Sequence, residues 1–249
     1  MKRFGLIGTS LSHSFSQRWF AEKFAREGLA DHRYDLFELP TLDAFPALVK
    51  ETPGLCGLNV TIPFKRSVMP LLHLLAPDAA AVGAVNTVSF SNGRSTGHNT
   101  DVIGFRTMLL PLLNGTRPRA LVLGSGGASL AVAFVLRELG IKFRVVSRSR
   151  ERGDLTWDLL DPAIVGVCTL IVNTTPVGMF PDVEAAPPLP FEAIGPRHVV
   201  IDLIYNPEHT LLLQKAKERG AQVANGIAML EAQAEASWAI WNGQLDQGT

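Results

Sequence analysis

The stretch ALVLGSGGASLAVAFVLRELG, Ala120 to Gly140, decides the fold. A short apolar run, ALVLG, reads as a buried strand, and residues 128–139 read as a helix closed by Gly140. Glycines 124, 126 and 127 fall between them. That context turns a weak glycine pattern into a dinucleotide-binding turn. Gly124 permits the tight turn, and Gly126 lets the backbone approach a pyrophosphate. Ser129 takes the third fingerprint position and is small enough for close helix–strand packing, while Ser125, Gly127 and Ala128 complete the loop. The helix N-terminus adds unpaired N–H groups and a partial positive charge. From this motif alone, a plain strand–helix turn remains the alternative.

The next strand, FRVVS, sharpens the choice of ligand. An NAD site usually ends this strand in an acid that holds the ribose 2′-hydroxyl. Here the chain runs VVSRSRERG, with Ser147, Arg148, Ser149 and Arg152 beside Arg150. A guanidinium pairs well with a 2′-phosphate and keeps its charge near neutral pH. The residues favour NADP, although Arg150 reads equally well as part of a solvated loop.

Outward from this unit, strands and helices alternate. LIVNTT and HVVIDLI read as further strands on the C-terminal side. Towards the N-terminus, RFGLIG reads as a strand, 16–28 as a helix ending at Gly28, RYDLFEL as a strand and 41–50 as a short helix. A strand within GLNVTIPFK follows, then two strand-like runs around Asn92-Gly93, the strongest short hairpin signal. A helix runs from Asp101 to Leu113, and the final helical stretch carries Ile227, Leu230, Ala234, Trp238 and Trp241 at helical spacing. The pattern predicts an α/β protein of two domains. Residues 1–101 form an N-terminal α/β domain with a mostly parallel sheet, and 102–226 a C-terminal Rossmann-type domain. The last helix, about 227–249, packs back on the first domain.

Composition bounds the function. In 249 residues, 23 basic and 23 acidic side chains cancel, which removes the electrostatic argument for a nucleic-acid partner. The two cysteines, Cys56 and Cys168, form no CxxC pair, and no HxxxH spacing indicates a metal. The first residues, MKRFGLIGTS, turn polar too early for a signal peptide, and no apolar run reaches the length of a membrane span. These features predict a cytoplasmic protein with no nucleic acid, no membrane and no metal; the expected partner is a small-molecule substrate, and the expected state a monomer or homodimer.

Small polar groups gather at predicted strand ends in SHSFS (Ser12 to Ser16), NVTIPFK, GAVNTV and GHNTD. Strand alternation places Asn59 and Thr61 on one face. Ser14, Ser16, Asn59, Thr61 and Asn86 offer neutral donors and acceptors suited to a polyhydroxylated ligand, while Lys65 and Asp101 bring the charges. Reduction of a ketone by hydride leaves an alkoxide that needs a proton or cation, which a lysine with a carboxylate partner can supply. Taken singly, each residue also reads as a cap, a turn or a surface ion pair.

The blocks GLNVTIPFK, GAVNTV, GHNTDVIGF, GSGGAS, NTTPVGM and DLIYNPEHTLLL resemble, in order, those of the shikimate dehydrogenase family. The resemblance implies NADPH-dependent, reversible reduction of 3-dehydroshikimate to shikimate in aromatic amino-acid biosynthesis, with residues 1–101 as the substrate domain and the active site in a cleft between the two domains. It implies Lys65 as catalytic acid/base with Asp101 as partner, and Ser14, Ser16, Asn59, Thr61, Asn86, Tyr205 and Gln233 around the substrate. Gly124 to Ser129 would hold the pyrophosphate, and Ser147, Arg148, Ser149 and Arg152 the 2′-phosphate. Asn173, Thr174, Leu203, Gly226 and Met229 would line the way to the nicotinamide. The chain departs from the family at Gln17, where proline is usual, at Ser147 for a common asparagine, and at Asn225 for a frequent aspartate. Two alternatives stay open: a quinate/shikimate relative of broader substrate or cofactor use, and a non-catalytic sensing relative.

Overall fold

The computed structural model describes residues 1–11 and 14–245. Ser12 and His13 of the SHSFS segment, and residues 246–249 of the expected last helix, lie outside the described residues. The chain divides into two compact units, one of Met1–Thr100 with the chain from Ala234 on, the other of Asp101–Gln233.

The first unit runs β1 (Lys2–Gly8), α1 (Phe15–Arg26), β2 (His32–Glu38), α2 (Phe45–Glu51), β3 (Leu55–Val60), β4 (Leu74–Leu75), α3 (Pro77–Val82), β5 (Thr87–Ser91) and β6 (Arg94–His98). Its sheet has the order β2-β1-β3-β5-β6-β4. The pairs β2·β1, β1·β3 and β4·β6 are parallel. The remainder is antiparallel, since Asn92 (φ 51°) and Gly93 (φ 74°) turn β5 straight back into β6. Both central residues of that turn need positive φ, which an Asn-Gly pair adopts at least cost.

Alternation along β1 feeds two cores. Ile7 joins Leu58, Val60, Phe64, Val68 and Val88 on one face. Phe4 and Leu6 face the other way, onto Phe20, Phe24, Tyr34 and Trp238. The last helix, α8 (Ile227–Trp241), closes this second face. Trp241 stacks on Phe4 at 4.9 Å and donates its indole N–H to the Val88 carbonyl at 3.0 Å. Any side chain at Gly57 would collide with the Trp241 ring, so the glycine opening GLNVTIPFK marks where the final helix lies across the sheet. Lys23, 5% exposed, bonds Glu27 at 2.7 Å and Glu235 at 2.8 Å, fastening α1 to α8. Burial works to lower its pKa, but the two glutamates outweigh it and hold the ammonium above its ordinary value. It is the second half of α8, from Ala234, that belongs to this unit, rather than the whole helix from residue 227.

From Thr100 the chain enters α4 (Thr100–Leu113), then β7 (Ala120–Leu123), α5 (Gly127–Glu138), β8 (Phe143–Ser147), β9 (Leu155–Thr156), α6 (Pro162–Val167), β10 (Leu170–Asn173), β11 (Val199–Asp202), α7 (Leu211–Glu218) and β12 (Gln222–Ala224). The sheet of the second unit is parallel throughout the described residues, in the order β12-β11-β10-β7-β8-β9. Numbered within the unit this is 3-2-1-4-5-6, the doubly wound dinucleotide-binding arrangement. Strands β7 and β10 are wholly buried, which explains why they read as continuous apolar runs. No helix among the described residues is long and apolar enough to cross a membrane.

Candidate active site and family

In a doubly wound sheet the ligand crevice opens where strand order reverses, at the carboxyl ends of the first and fourth strands. Here those ends are Leu123 and Asn173. Gly124 turns out of β7 at φ +107°. A Cβ there would lie 2.7 Å from Thr174 Oγ1, so strain and packing both require glycine. Gly126, the N-cap of α5, behaves differently: a Cβ would meet nothing within 4 Å. Its missing side chain serves open space above the backbone, not internal packing. No side chain caps this helix, and Ser129 turns its hydroxyl back onto the Gly126 carbonyl at 2.6 Å.

Ser147, at the end of β8, is 5% exposed and pairs hydroxyl to hydroxyl with Ser125 at 3.0 Å, joining the arginine turn to the glycine loop. Ser149 folds the turn through its carbonyl, which accepts from Arg152 N at 3.1 Å. Arg148 and Arg152 are exposed and make no ion pair among the described residues. Arg150 instead adds to the pull that holds the Asp158 carboxyl below its ordinary range, an effect led by hydrogen bonding from Thr156. An open glycine, an uncapped helix start and two uncommitted guanidiniums beside Ser147 fit a dinucleotide bearing a 2′-phosphate.

Asn173 and Thr174 build the loop with their side chains. Thr174 Oγ1 donates to Leu123 O at 2.7 Å. Asn173 donates to Asp202 at 3.0 Å and accepts from Thr175 N at 3.0 Å. Gly226 presses against the Leu203 carbonyl so closely that no side chain fits, and its N–H donates to Ile204 O at 3.0 Å. Asn225 accepts from Ile227 N at 3.2 Å and so starts α8 as an aspartate would. Met229 and Gln233 are buried on α8, and a Cβ at Gly104 of α4 would lie 2.5 Å from the Met229 carbonyl.

The buried carboxylate of Asp202 ties these pieces together; it opens the block DLIYNPEHTLLL but was not among the expected site residues. A lone acid in the apolar run VVIDLI was the available signal. It accepts from Asn173, from Thr210 Oγ1 at 2.7 Å and from Ile204 N at 3.1 Å. Burial pushes its pKa from 3.8 up to about 6, against those hydrogen bonds. A carboxyl whose pKa is raised on folding stabilises the native state below its unfolded pKa, and this is lost as pH rises through the folded value. Relative to Asp202→Asn, the wild type is expected to lose about 2 kcal/mol of unfolding free energy between about pH 4 and pH 7. Urea titrations of both proteins across that range check this; a pH-independent difference would contradict it.

In the first unit, Ser14 occupies the N-cap position of α1 but makes no capping hydrogen bond. Thr61 lies one residue past the end of β3 and is half-buried. Lys65 sits on a helical turn held in the core by Phe64 and Val68, and its carbonyl accepts from Val85 N at 2.7 Å. Asn86, 3% exposed, accepts from Thr100 N at 2.7 Å and so fixes the start of α4, directly before Asp101. Asn59 lies deeper than strand alternation suggested, at 5% exposure. Its carbonyl accepts from Tyr34 at 2.8 Å, and its amide nitrogen donates to Ser237 at 2.9 Å and Thr87 at 3.1 Å. A buried amide has to be paired, and these partners use it within the unit. Tyr205 is half-buried beyond β11.

Known proteins share this architecture. The family model "Shikimate dehydrogenase substrate binding domain" matches residues 6–88. A shikimate dehydrogenase (NADP(+)) of Pelodictyon phaeoclathratiforme is 35% identical over 261 residues, covering 97% of this chain and 92% of that protein. One from Thermus thermophilus is 37% identical over 256 residues, covering 98% and 94%. A crystal structure of a Thermus thermophilus shikimate 5-dehydrogenase in complex with NADP(H) and shikimate has a TM-score of 0.85 at 36% identity, over 98% of this chain and 95% of that one. The Aquifex aeolicus enzyme has a TM-score of 0.87 at 33% identity, covering 99% and 95%. With its switch-point glycine loop, its arginine turn and this likeness from end to end, the chain belongs to the shikimate dehydrogenase family.

Proposed function

We propose that the protein is an NADP-dependent shikimate dehydrogenase, reducing 3-dehydroshikimate to shikimate reversibly in aromatic amino-acid biosynthesis. What supports this is that two ionisable residues, Lys65 and Asp101, each follow directly on well-held backbone. Lys65 rides on a turn anchored in the core, and Asp101 follows Thr100, which Asn86 holds. A sensor that only binds its ligand has no need of such a pair. The nicotinamide, when bound, supplies or accepts the hydride. Lys65 gives a proton to the developing alkoxide on reduction and takes it back on oxidation, with Asp101 as its partner. Ser14, Ser16, Thr61, Asn86, Tyr205 and Gln233 hold the carboxylate and hydroxyls of the substrate, and Asn59 supports them from beneath. Gly124 to Ser129 receive the pyrophosphate, and Ser147, Arg148, Ser149 and Arg152 the 2′-phosphate. Asn173, Thr174, Leu203, Gly226 and Met229 shape the path to the nicotinamide. A cytoplasmic location and a monomeric or homodimeric state belong to the same proposal.

Purified protein is expected to oxidise shikimate with NADP at least about 100-fold more efficiently than quinate with NAD, since buried polar groups built for one ligand reject another strongly. Comparing kcat/KM for both substrates with both cofactors tests this. Equal efficiencies for the two pairs would refute the assignment.

A further inference from the structure

A side chain that no motif picked out links the residues expected to hold the substrate. Tyr34, in β2, is 5% exposed, and its ring stacks on Phe20 at 4.4 Å and 10°. It belongs to the apolar cluster of Phe4, Leu6, Phe24 and Trp238, where a buried hydroxyl has to find partners. It finds Asn59 Oδ1 at 2.8 Å.

The rest of the network fixes the direction of the first bond. The nitrogen end of the Asn59 amide lies 3.3 Å from the Asn86 carbonyl oxygen, which can only accept. The other end is therefore the oxygen, and Tyr34 donates to it. Burial pushes the phenol above its ordinary pKa, so the hydroxyl keeps the proton it donates. Asn59 carries the constraint onward to Thr87 at 3.1 Å and Ser237 at 2.9 Å. Thr87 in turn donates to Asn86 Oδ1 at 3.2 Å, the same oxygen that accepts from Thr100 N.

We infer that Tyr34 is a positioning residue of the substrate site: its hydroxyl, donated to Asn59, orients that amide and, through Asn59 and Thr87, the side chain of Asn86. It touches no reacting atom. The inference rests on the reading that Asn86 contacts shikimate. Without the hydroxyl, Asn59 Oδ1 is left buried with no donor among the described residues.

Tyr34→Phe keeps the stacked ring and removes only the oxygen. The expected result is a rise of about tenfold in KM for shikimate, with kcat within about threefold of wild type and NADP affinity by calorimetry unchanged. Thr87→Val, which removes the hydroxyl between Asn59 and Asn86, also raises that KM, and the double variant raises it by less than the product of the two single effects, because they cut one path. A wild-type KM in Tyr34→Phe overturns the inference, as does an equal loss of shikimate and NADP affinity, which would mark a general loosening. Were Tyr34→Phe not to fold, Thr87→Val with an unchanged KM would overturn it. An enzyme inactive on shikimate would refute the functional reading instead. The Asn59 side-chain amide resonances of the phenylalanine variant would then decide, since resonances identical to wild type overturn the positioning role.

Discussion

Replacing Lys65 by alanine is expected to lower turnover by about 10²- to 10⁴-fold, the range a positioned general acid contributes. Cofactor binding, followed by fluorescence or calorimetry, should survive. The structure makes this a chemical test and not one of folding. The turn that presents Lys65 is held by Phe64 and Val68 in the core and by a backbone bond from Val85 to the Lys65 carbonyl. None of these uses the lysine side chain, and Lys65 itself is only half-buried. A Lys65→Met variant keeps most of the apolar stem and removes the charge, so it should be as inactive as the alanine variant. Unaffected turnover in either would reduce Lys65 to a structural role. A matching loss of NADP affinity would mean that the substitution disturbs more than the proton transfer.

The double variant Arg148→Ala/Arg152→Ala should raise KM for NADP by about 10- to 100-fold and leave KM for NAD within about twofold. A hydrogen bond to a charged group is worth about 1.5–3 kcal/mol, and only NADP carries the phosphate that these guanidiniums would meet. Both arginines are exposed and without an ion pair among the described residues, so their removal should shift stability by no more than about 0.5 kcal/mol. Added salt should narrow the gap between wild type and variant, because exposed charges are screened. Equal changes in both constants would move the 2′-phosphate contact elsewhere. The Ser125–Ser147 hydroxyl pair behind the arginines remains in the variant, so the turn keeps its shape.

Elements with a strong period or firm punctuation were legible from the residues. Gly28 and Gly140, at φ +68° and +67°, close α1 and α5 where the sequence placed their ends. Asn92-Gly93 formed its hairpin, and the apolar runs at 120–123 and 170–173 formed strands of a parallel sheet. The short pieces were not legible. α3 spans Pro77–Val82 and β9 only Leu155–Thr156, lengths at which tertiary contacts outweigh propensity. α7 starts at the end of the motif DLIYNPEHTLLL and was not read as a helix, although Thr210 caps it by accepting from Leu213 N. In the site, small polar residues announced themselves as exceptions within apolar strands. Alternation gave Asn59 a face but no depth, because depth depends on what the rest of the chain lays over it.

By itself the sequence determined the glycine turn, the arginine cluster in place of an acid, and the presence of two ionisable candidates, Lys65 and Asp101. These are local facts: a backbone conformation only glycine tolerates, a charge that does not titrate, a residue type suited to proton transfer. Tertiary structure alone decided which polar groups face inward. Asn59 is paired to Ser237, 178 residues away, and to Tyr34, 25 residues away. Asp202 draws together Asn173 and Thr210 from separate elements. The physical reason is the cost of a buried polar atom left without a partner. That cost is met by whichever groups the fold brings within about 3 Å, a distance in space that spacing along the chain does not encode.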